Sequence, residues 1–212
     1  MPIKTIYCIQ HGLALHNILF KRIGRDAYTK YRDTELVNKG IHEAQDLGNN
    51  WDQLNNIELV MVSPCARTLN TAKYIFRSRP KLPMLAFDFL IEHSLGGDEI
   101  CNQRKNINDL KKAFPEINFD MINNNVLEWP LERETIQQLD SRIQEMFEFI
   151  RLTPEKTIAI VSHSSFIGRF KDKFMGNEDN QLLHCHPYKL LLHYDDDYNF
   201  IKMESEEENI IL

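Results

Sequence analysis

No C-x-x-C pair gathers the four cysteines of this 212-residue chain, so Cys8, Cys65, Cys101 and Cys185 read as scattered, reduced thiols rather than a zinc site or a disulfide framework. No apolar run approaches the roughly 18 residues that a membrane-spanning helix needs. Nor does the amino-terminal stretch join a basic region to an apolar one. A soluble, cytoplasmic chain with no membrane partner is expected. Positive charge is also in short supply: 25 Lys and Arg face 31 Asp and Glu, a net −6. That balance gives no long-range attraction for nucleic acid or acidic membranes, although a local basic pocket can still hold an anion. Repeats and linkers are missing too, which favours one domain over 1–212 built around one sizeable core. The Asn-rich stretches "NNWDQLNN" (49–56) and "INNNVLEWP" (122–130) are expected as loops, and 204–212 as a frayed acidic tail.

What the chain does contain is a set of short β-rich runs without strict alternation: "IKTIYCI" (3–9), "IELVMVS" (57–63), "MLAFD" (84–88) and "KTIAIVS" (156–162). Strands covered on both faces have this pattern, as in a parallel sheet. Helical spacing separates them: Ile41, Ala44, Leu47 and Leu54 after Gly40; Ala66, Leu69, Ala72 and Ile75 after Pro64; Leu139, Ile143, Met146, Phe147 and Ile150 before Thr153-Pro154. Alternating strands and helices predict a layered α/β fold with right-handed crossovers. Near the end, "KLLLHYD" (189–195) and "YNFIKME" (198–204) flank an Asp-rich turn and predict an antiparallel hairpin at the sheet edge. The interval 89–155 is too long for a plain crossover. It reads as a helical and loop cap insertion over the crevice beyond the strand ends, where open α/β sheets bind ligands.

Polar clusters follow four of the predicted parallel strands: Gln10-His11-Gly12, "SPCARTLNTA" (63–72), "LIEHSLGG" (90–97) and "SHSSFIG" (162–168). One sheet edge would then collect His11, Arg67, Glu92, His93 and His163. Gly12 is expected to let the backbone turn sharply after the histidine. Taken singly, each has an ordinary structural role open to it: a histidine satisfying a carbonyl, an arginine pairing on the surface, a glutamate solvating a loop. Together they suffice for phosphoryl transfer through a histidine, in which an imidazole attacks phosphorus, cations hold the equatorial oxygens and an acid protonates the leaving oxygen. That scheme requires no metal and no cofactor. The His184-Cys185-His186 tract reads as structural, because three adjacent side chains diverge and no fourth ligand stands at a usual spacing.

These motifs resemble those of the histidine phosphatase, or phosphoglycerate mutase-like, superfamily, over nearly the whole chain. "QHGLALHN" is similar to R-H-G-x-x-x-x-N, with His11 at the nucleophile and Asn17 at the ordered asparagine. "DTELVNKG" with "EAQDLG" matches the element before the second helix, with Asp33, Leu36 and Gly40 in place. "SPCARTLNTA" resembles S-P-x-x-R-T-x-x-T-A and puts Arg67 at the phosphate-binding arginine, and "VSHSSFI" resembles V-S-H-G-x-x-I, with His163 in the phosphate pocket and Ser164 replacing a glycine. The stretch from Glu92 onward is most similar to phosphoglycerate mutase-like proteins of plants and fungi.

The resemblance implies a three-layer α/β/α sandwich and a phosphohistidine on His11. It also implies phosphate contacts from Gln10, Asn17, Arg67, His163 and Ser164, and Glu92, rather than His93, as the acid. The implied partner is a small phosphorylated substrate. Lys21, Arg22 and Arg25 on the loop after His11, with Arg104 and Lys105 in the cap, are candidates for substrate contact. Gln10 departs from the pattern, because the family carries arginine there. An amide cannot make the forked, charged contact with phosphate, and by analogy with losing one preorganised oxyanion donor the change costs about 10²- to 10³-fold in rate. A metal-independent phosphatase slowed by Gln10 is therefore expected; the alternatives are a pseudo-phosphatase binding an anion or a protein partner, and a mutase.

Overall fold

The computed structural model describes residues 2–94, 96, 98–122, 133–175 and 182–206. Six strands, β1 (Ile3–Gln10), β2 (Leu59–Val62), β3 (Met84–Ala86), β4 (Thr157–Ser162), β5 (Pro187–Tyr194) and β6 (Phe200–Glu206), form one sheet in the order β3-β2-β4-β1-β5-β6. β1, β2, β3 and β4 run parallel, whereas β5 lies antiparallel to β1 and β6 antiparallel to β5. The Asp-rich turn closes the β5–β6 hairpin: Asp195 Oδ1 accepts from the backbone N–H of Asp197 and Asn199.

Both faces of the central strands are apolar, and this is why the sequence shows no alternation there. Tyr7, Ile9, Val60, Val62, Ala159 and Val161 face one core, while Ile6, Cys8, Leu59, Met61, Ile158 and Ile160 face the other. Helices cover each side. α3 (Asn38–Asn50) and α4 (Ala66–Ile75) supply Ala44, Leu47, Leu69, Ala72 and Ile75 to the first core. α6 (Ile136–Leu152) and α7 (Ser164–Met175) supply Leu139, Ile143, Met146, Ile150, Phe166 and Phe170 to the second. The result is the expected three-layer α/β/α sandwich. Each large apolar side chain so buried contributes about 1.5–3 kcal/mol, and Thr135 fixes where α6 begins by accepting from Gln138 N in a capping box. The other helices are α1 (Leu15–Ile23), α2 (Asp26–Thr29) and α5 (Ile107–Ala113).

Three expectations need correction. "NNWDQLNN" is not a loop: it ends α3 and continues as a 3₁₀ turn over Asp52–Asn56. Trp51 and Leu54 are buried there, with Trp51 edge-on to Tyr7 at 5.0 Å, so packing overrides the Asn-rich composition. The interval 89–155 does not act as one insertion. Ile107 and Leu110 of α5 join the first core and α6 forms part of the second helical layer, which leaves Glu92, His93, Glu99, Cys101 and Asn102 beside the strand ends. The Lys21 and Arg22 loop is the helix α1. "INNNVLEWP" after Ile122 and the tail beyond Glu206 lie outside the described residues.

Candidate active site

The parallel strand ends set the site. Backbone bonds carry the ladder one step past the strands, from His11 N to Ser162 O (3.1 Å) and from Ser63 N to Val161 O (3.0 Å), so His11, Ser63 and His163 emerge side by side. Gly12 has no positive φ; among the described glycines only Gly24 does. Its need is space: a Cβ there would stand 2.5 Å from the carbonyl oxygen of Gly40, inside α3, and a Cβ on Gly40 would strike the backbone of Leu13. The turn after His11 is thus held by two backbones in contact. Gly12 N also donates to Thr71 Oγ1 (3.0 Å), which itself donates to Arg67 O, tying the turn to the helix that carries the arginine.

His11 donates from Nδ1 to the Gly12 carbonyl (2.8 Å), which leaves Nε2 as the bare nitrogen. Arg67 Nε donates to that nitrogen at 3.2 Å. The remaining Arg67 donors reach Cys101 O (2.8 Å), Asn102 Oδ1 (2.8 Å) and His163 Nδ1 (2.9 Å). Because His163 Nδ1 accepts, its Nε2 carries the proton to Ser63 Oγ (2.8 Å). Arg67 is 1 % exposed, and among the described residues no carboxylate lies within ion-pair distance of it. A buried cation without a partner anion is costly unless a ligand supplies one. Asp33, in the left-handed region at φ 43, sets the helix behind it by accepting from Ala66 N (2.8 Å).

Burial, then the Arg67 charge, holds both His11 and His163 well below the ordinary imidazole pKa, so each is neutral at pH 7. Glu92 sits against the start of α7. Its Oε1 accepts from His93 N (2.8 Å) and Phe166 N (3.0 Å), and its Oε2 from Ser165 N (3.3 Å). Burial raises its pKa despite these bonds, a condition that suits a proton donor. Ser164 lies at 3.5 Å from Glu92 Oε2, and His93 is engaged with Glu134 O (3.2 Å). Asn17 caps α1, its Oδ1 accepting from Ala14 N (3.0 Å). His11, Arg67, Glu92, His93, Asn17 and Ser164 line a cleft of about 130 Å³ with Gln10, His16, Tyr28, Glu99, Cys101, Asn102 and Ser165, while His163 is fully buried and outside that lining.

The basic candidates fare differently. Arg104 is fully buried and forks onto Asp88, Nε to Oδ1 at 2.7 Å and Nη2 to Oδ2 at 2.9 Å, so it braces the loop and lies outside the cleft lining. Lys105 pairs with Glu35 and Arg25 with Asp98, all exposed, while Lys21 and Arg22 project to solvent from α1 outside the cleft lining. Of the His184 tract, Cys185 enters the first core and His186 packs on Tyr188. His184 instead stands 5.6 Å from the His11 ring and hydrogen-bonds the His11 carbonyl through Nδ1 (2.5 Å).

Sequence reasoning missed His184, and it missed His16. The latter is buried 5.9 Å from His11, bonded through Nδ1 to Thr34 Oγ1 (2.5 Å), and its pKa is pushed down to about 2 by burial and then by Arg67. Asn102, which holds Arg67, was missed as well. The "LHN" triplet offered a signal for His16. Asn102 offered none, because its role depends on how the loop after β3 folds back.

A sheet whose parallel ends present two neutral histidines, a buried arginine and a raised carboxylate defines a phosphoryl-transfer class of site. The sequence model of the histidine phosphatase superfamily (branch 1) matches residues 6–197, and the chain belongs to that family. It is 31% identical over 198 residues to an Arabidopsis thaliana "Phosphoglycerate mutase-like protein", covering 77% of this chain and 72% of the relative. It is 28% identical to "Probable phosphatase SPAC513.02" of Schizosaccharomyces pombe, covering 93% and 94%. Among solved structures, the mycobacterial glucosyl-3-phosphoglycerate phosphatase Rv2419c shares the fold with a TM-score of 0.63 at 16% identity, covering 99% of this chain and 100% of that one.

Proposed function

We propose that this chain hydrolyses small phosphomonoesters through a phosphohistidine on His11, without a metal in the chemical step. His11 Nε2 attacks phosphorus, the ester P–O bond breaks, and Glu92 gives its proton to the leaving oxygen. Water then displaces His11 from phosphorus and returns a proton to Glu92. Arg67, with His163 and Asn17, holds the transferring group, Gln10 and Ser164 bordering it. The carrying observation is Arg67 itself: buried, without a partner carboxylate among the described residues, and bonded to the bare nitrogen of His11. An arriving anion draws the guanidinium toward itself and frees that nitrogen to attack. His163 accepts from Arg67 as it stands, so it donates to phosphate only after taking a proton.

Alkali-quenched labelling of the protein by ³²P-phosphomonoester, base-stable and acid-labile and lost in His11→Ala, tests this reading. Absence of both label and turnover across alkyl, aryl and sugar phosphates refutes it. A second reading, an anion-binding pseudo-phosphatase, is favoured by Gln10, a buried and uncharged side chain bordering the cleft, whose Oε1 has no hydrogen-bond partner among the described residues. Gln10→Arg separates the two, since a detuned enzyme gains rate and a binding protein stays inert.

A further inference from the structure

The tautomer of His16 follows outward from one backbone bond. Ala14 N donates to Asn17 Oδ1 (3.0 Å), so that atom is the amide oxygen and the other end of the side chain is its NH₂ group. Asn17 Nδ2 stands 3.1 Å from His16 Nε2 and can only donate, which makes that ring nitrogen the acceptor. The ring proton is therefore on Nδ1 and goes to Thr34 Oγ1 at 2.5 Å. Burial, then Arg67, pushes the His16 pKa down to about 2, so the ring stays neutral and Nε2 keeps its lone pair.

None of the steps at phosphorus uses this buried ring, which stands 5.9 Å from that of His11. Its bonds nevertheless end in the cleft, which His16 and Asn17 both line. Asn17 has Oδ1 committed to Ala14 N and one N–H to His16; its second N–H has no acceptor among the described residues. Held at Oδ1 alone, the amide could turn about that bond and swing the N–H away. Pinned at both ends, a planar amide has one direction left for it. The imidazole that does the pinning has a fixed seat of its own, with Thr34 buried behind Nδ1 and Tyr28 edge-on at 5.7 Å.

We propose that His16, seated by Thr34, is a positioning residue that aims the second N–H of Asn17 at the transferring phosphoryl group. The phosphate contact of Asn17 belongs to the phosphatase reading, and the relay rests on it; His16 moves no proton and acts only through Asn17. A donor oriented beforehand costs nothing to reorganise when an oxyanion arrives, whereas an amide free to turn must first be ordered.

Binding of inorganic vanadate, measured by titration calorimetry at pH 7, tests the relay. Two amide substitutions divide the contacts of the ring, because an Asn amide ends near the place of Nδ1 and a Gln amide near that of Nε2. His16→Gln, whose Oε1 can accept from Asn17, should bind vanadate within about threefold of the unaltered protein. His16→Asn, which reaches Thr34 and not Asn17, should bind it about tenfold to 10²-fold more weakly, the worth of one hydrogen bond to a charged acceptor. In an Asn17→Ala background the same His16→Asn change should cost less than about twofold, since the donor it would aim is gone. Independently of any variant, ¹⁵N NMR of the unaltered protein at pH 7 should show His16 protonated at Nδ1 alone. Thermal melts check that each variant is folded. A Gln variant no better than the Asn variant, the same His16→Asn loss with and without Asn17, a proton on His16 Nε2, or no vanadate binding by the unaltered protein would each overturn the proposal. The phosphatase reading is judged apart, by ³²P labelling of His11. Coupling between His16 and Asn17 without label keeps the relay and discards the phosphatase, and label without coupling does the reverse.

Discussion

Glu92→Gln is the sharpest test of the proton donor. The amide retains an oxygen for the N–H groups of His93 (2.8 Å) and Phe166 (3.0 Å), so the loop and the start of α7 keep their two shorter bonds. Its NH₂ then faces the Ser165 N–H, which loses its acceptor at 3.3 Å. An unpaired donor costs about 1–3 kcal/mol, and a long bond of this kind lies at the lower end, so the fold survives. Chemistry does not escape so lightly. General acid catalysis contributes about 10²- to 10⁴-fold when the leaving oxygen is a poor one. With glycerol phosphate, whose alkoxide needs a proton, kcat should fall by that factor. With p-nitrophenyl phosphate, whose phenolate leaves unaided, the loss should stay under about tenfold. Steady-state kcat on both substrates, with a urea melt to confirm folding, measures the ratio. Equal losses on the two substrates would sink the assignment of Glu92 as the acid.

Three further outcomes are expected. His11, His16 and His163 have folded pKa values below the free value of about 6.5, so the unfolded state binds more protons between those limits. Stability is then full above about pH 6.5 and falls as pH drops, by about 1.4 kcal/mol per pH unit for each buried histidine. Comparing urea melts at pH 7 and 5, His16→Gln should shallow the slope by one such increment, and an unchanged slope would contradict the burial argument. Gly40→Ala presses a methyl against the Leu13 backbone, so a loss of about 1–3 kcal/mol is expected, with a fall in kcat because the His11 turn moves. Arg104→Lys forfeits the fork onto Asp88 and should lower the melting temperature while leaving KM unchanged; a raised KM would return Arg104 to the substrate site.

Most of the sheet was legible because its strands are buried on both faces and therefore read as continuous apolar runs. The site residues were legible in part for the same reason: His11, Arg67 and His163 each follow closely on a parallel strand, where the chain has little freedom before the side chain is placed. The errors fall where tertiary contacts outweigh local composition. Trp51 and Leu54 draw an Asn-rich segment into helical turns because Tyr7 and Phe76 offer them a surface. Arg104 reads from sequence as a free cation, and only the fold reveals Asp88 waiting for it. Gly12 looked like a turn glycine, whereas its real constraint is Gly40, which no local pattern announces. His184 was set aside with its neighbours because a tract of adjacent residues was judged as a unit; the positive φ of Cys185 belongs to the turn in which His184 and Cys185 part company.

The position of β1 also shapes how the molecule is made. It is an interior strand whose two partners, β4 and β5, come late in the chain, and the bond between His11 and His184 closes a span of 173 residues. At about 5–20 residues per second on a ribosome, that span takes on the order of 10 to 35 seconds to synthesise. Until β4 is made the apolar "IYCI" segment has neither edge paired, and until β5 is made one edge stays open and the cleft is incomplete. Nascent-chain quality, and the availability of chaperones that shield an orphan strand, therefore govern the yield of folded protein well before any ligand can contribute.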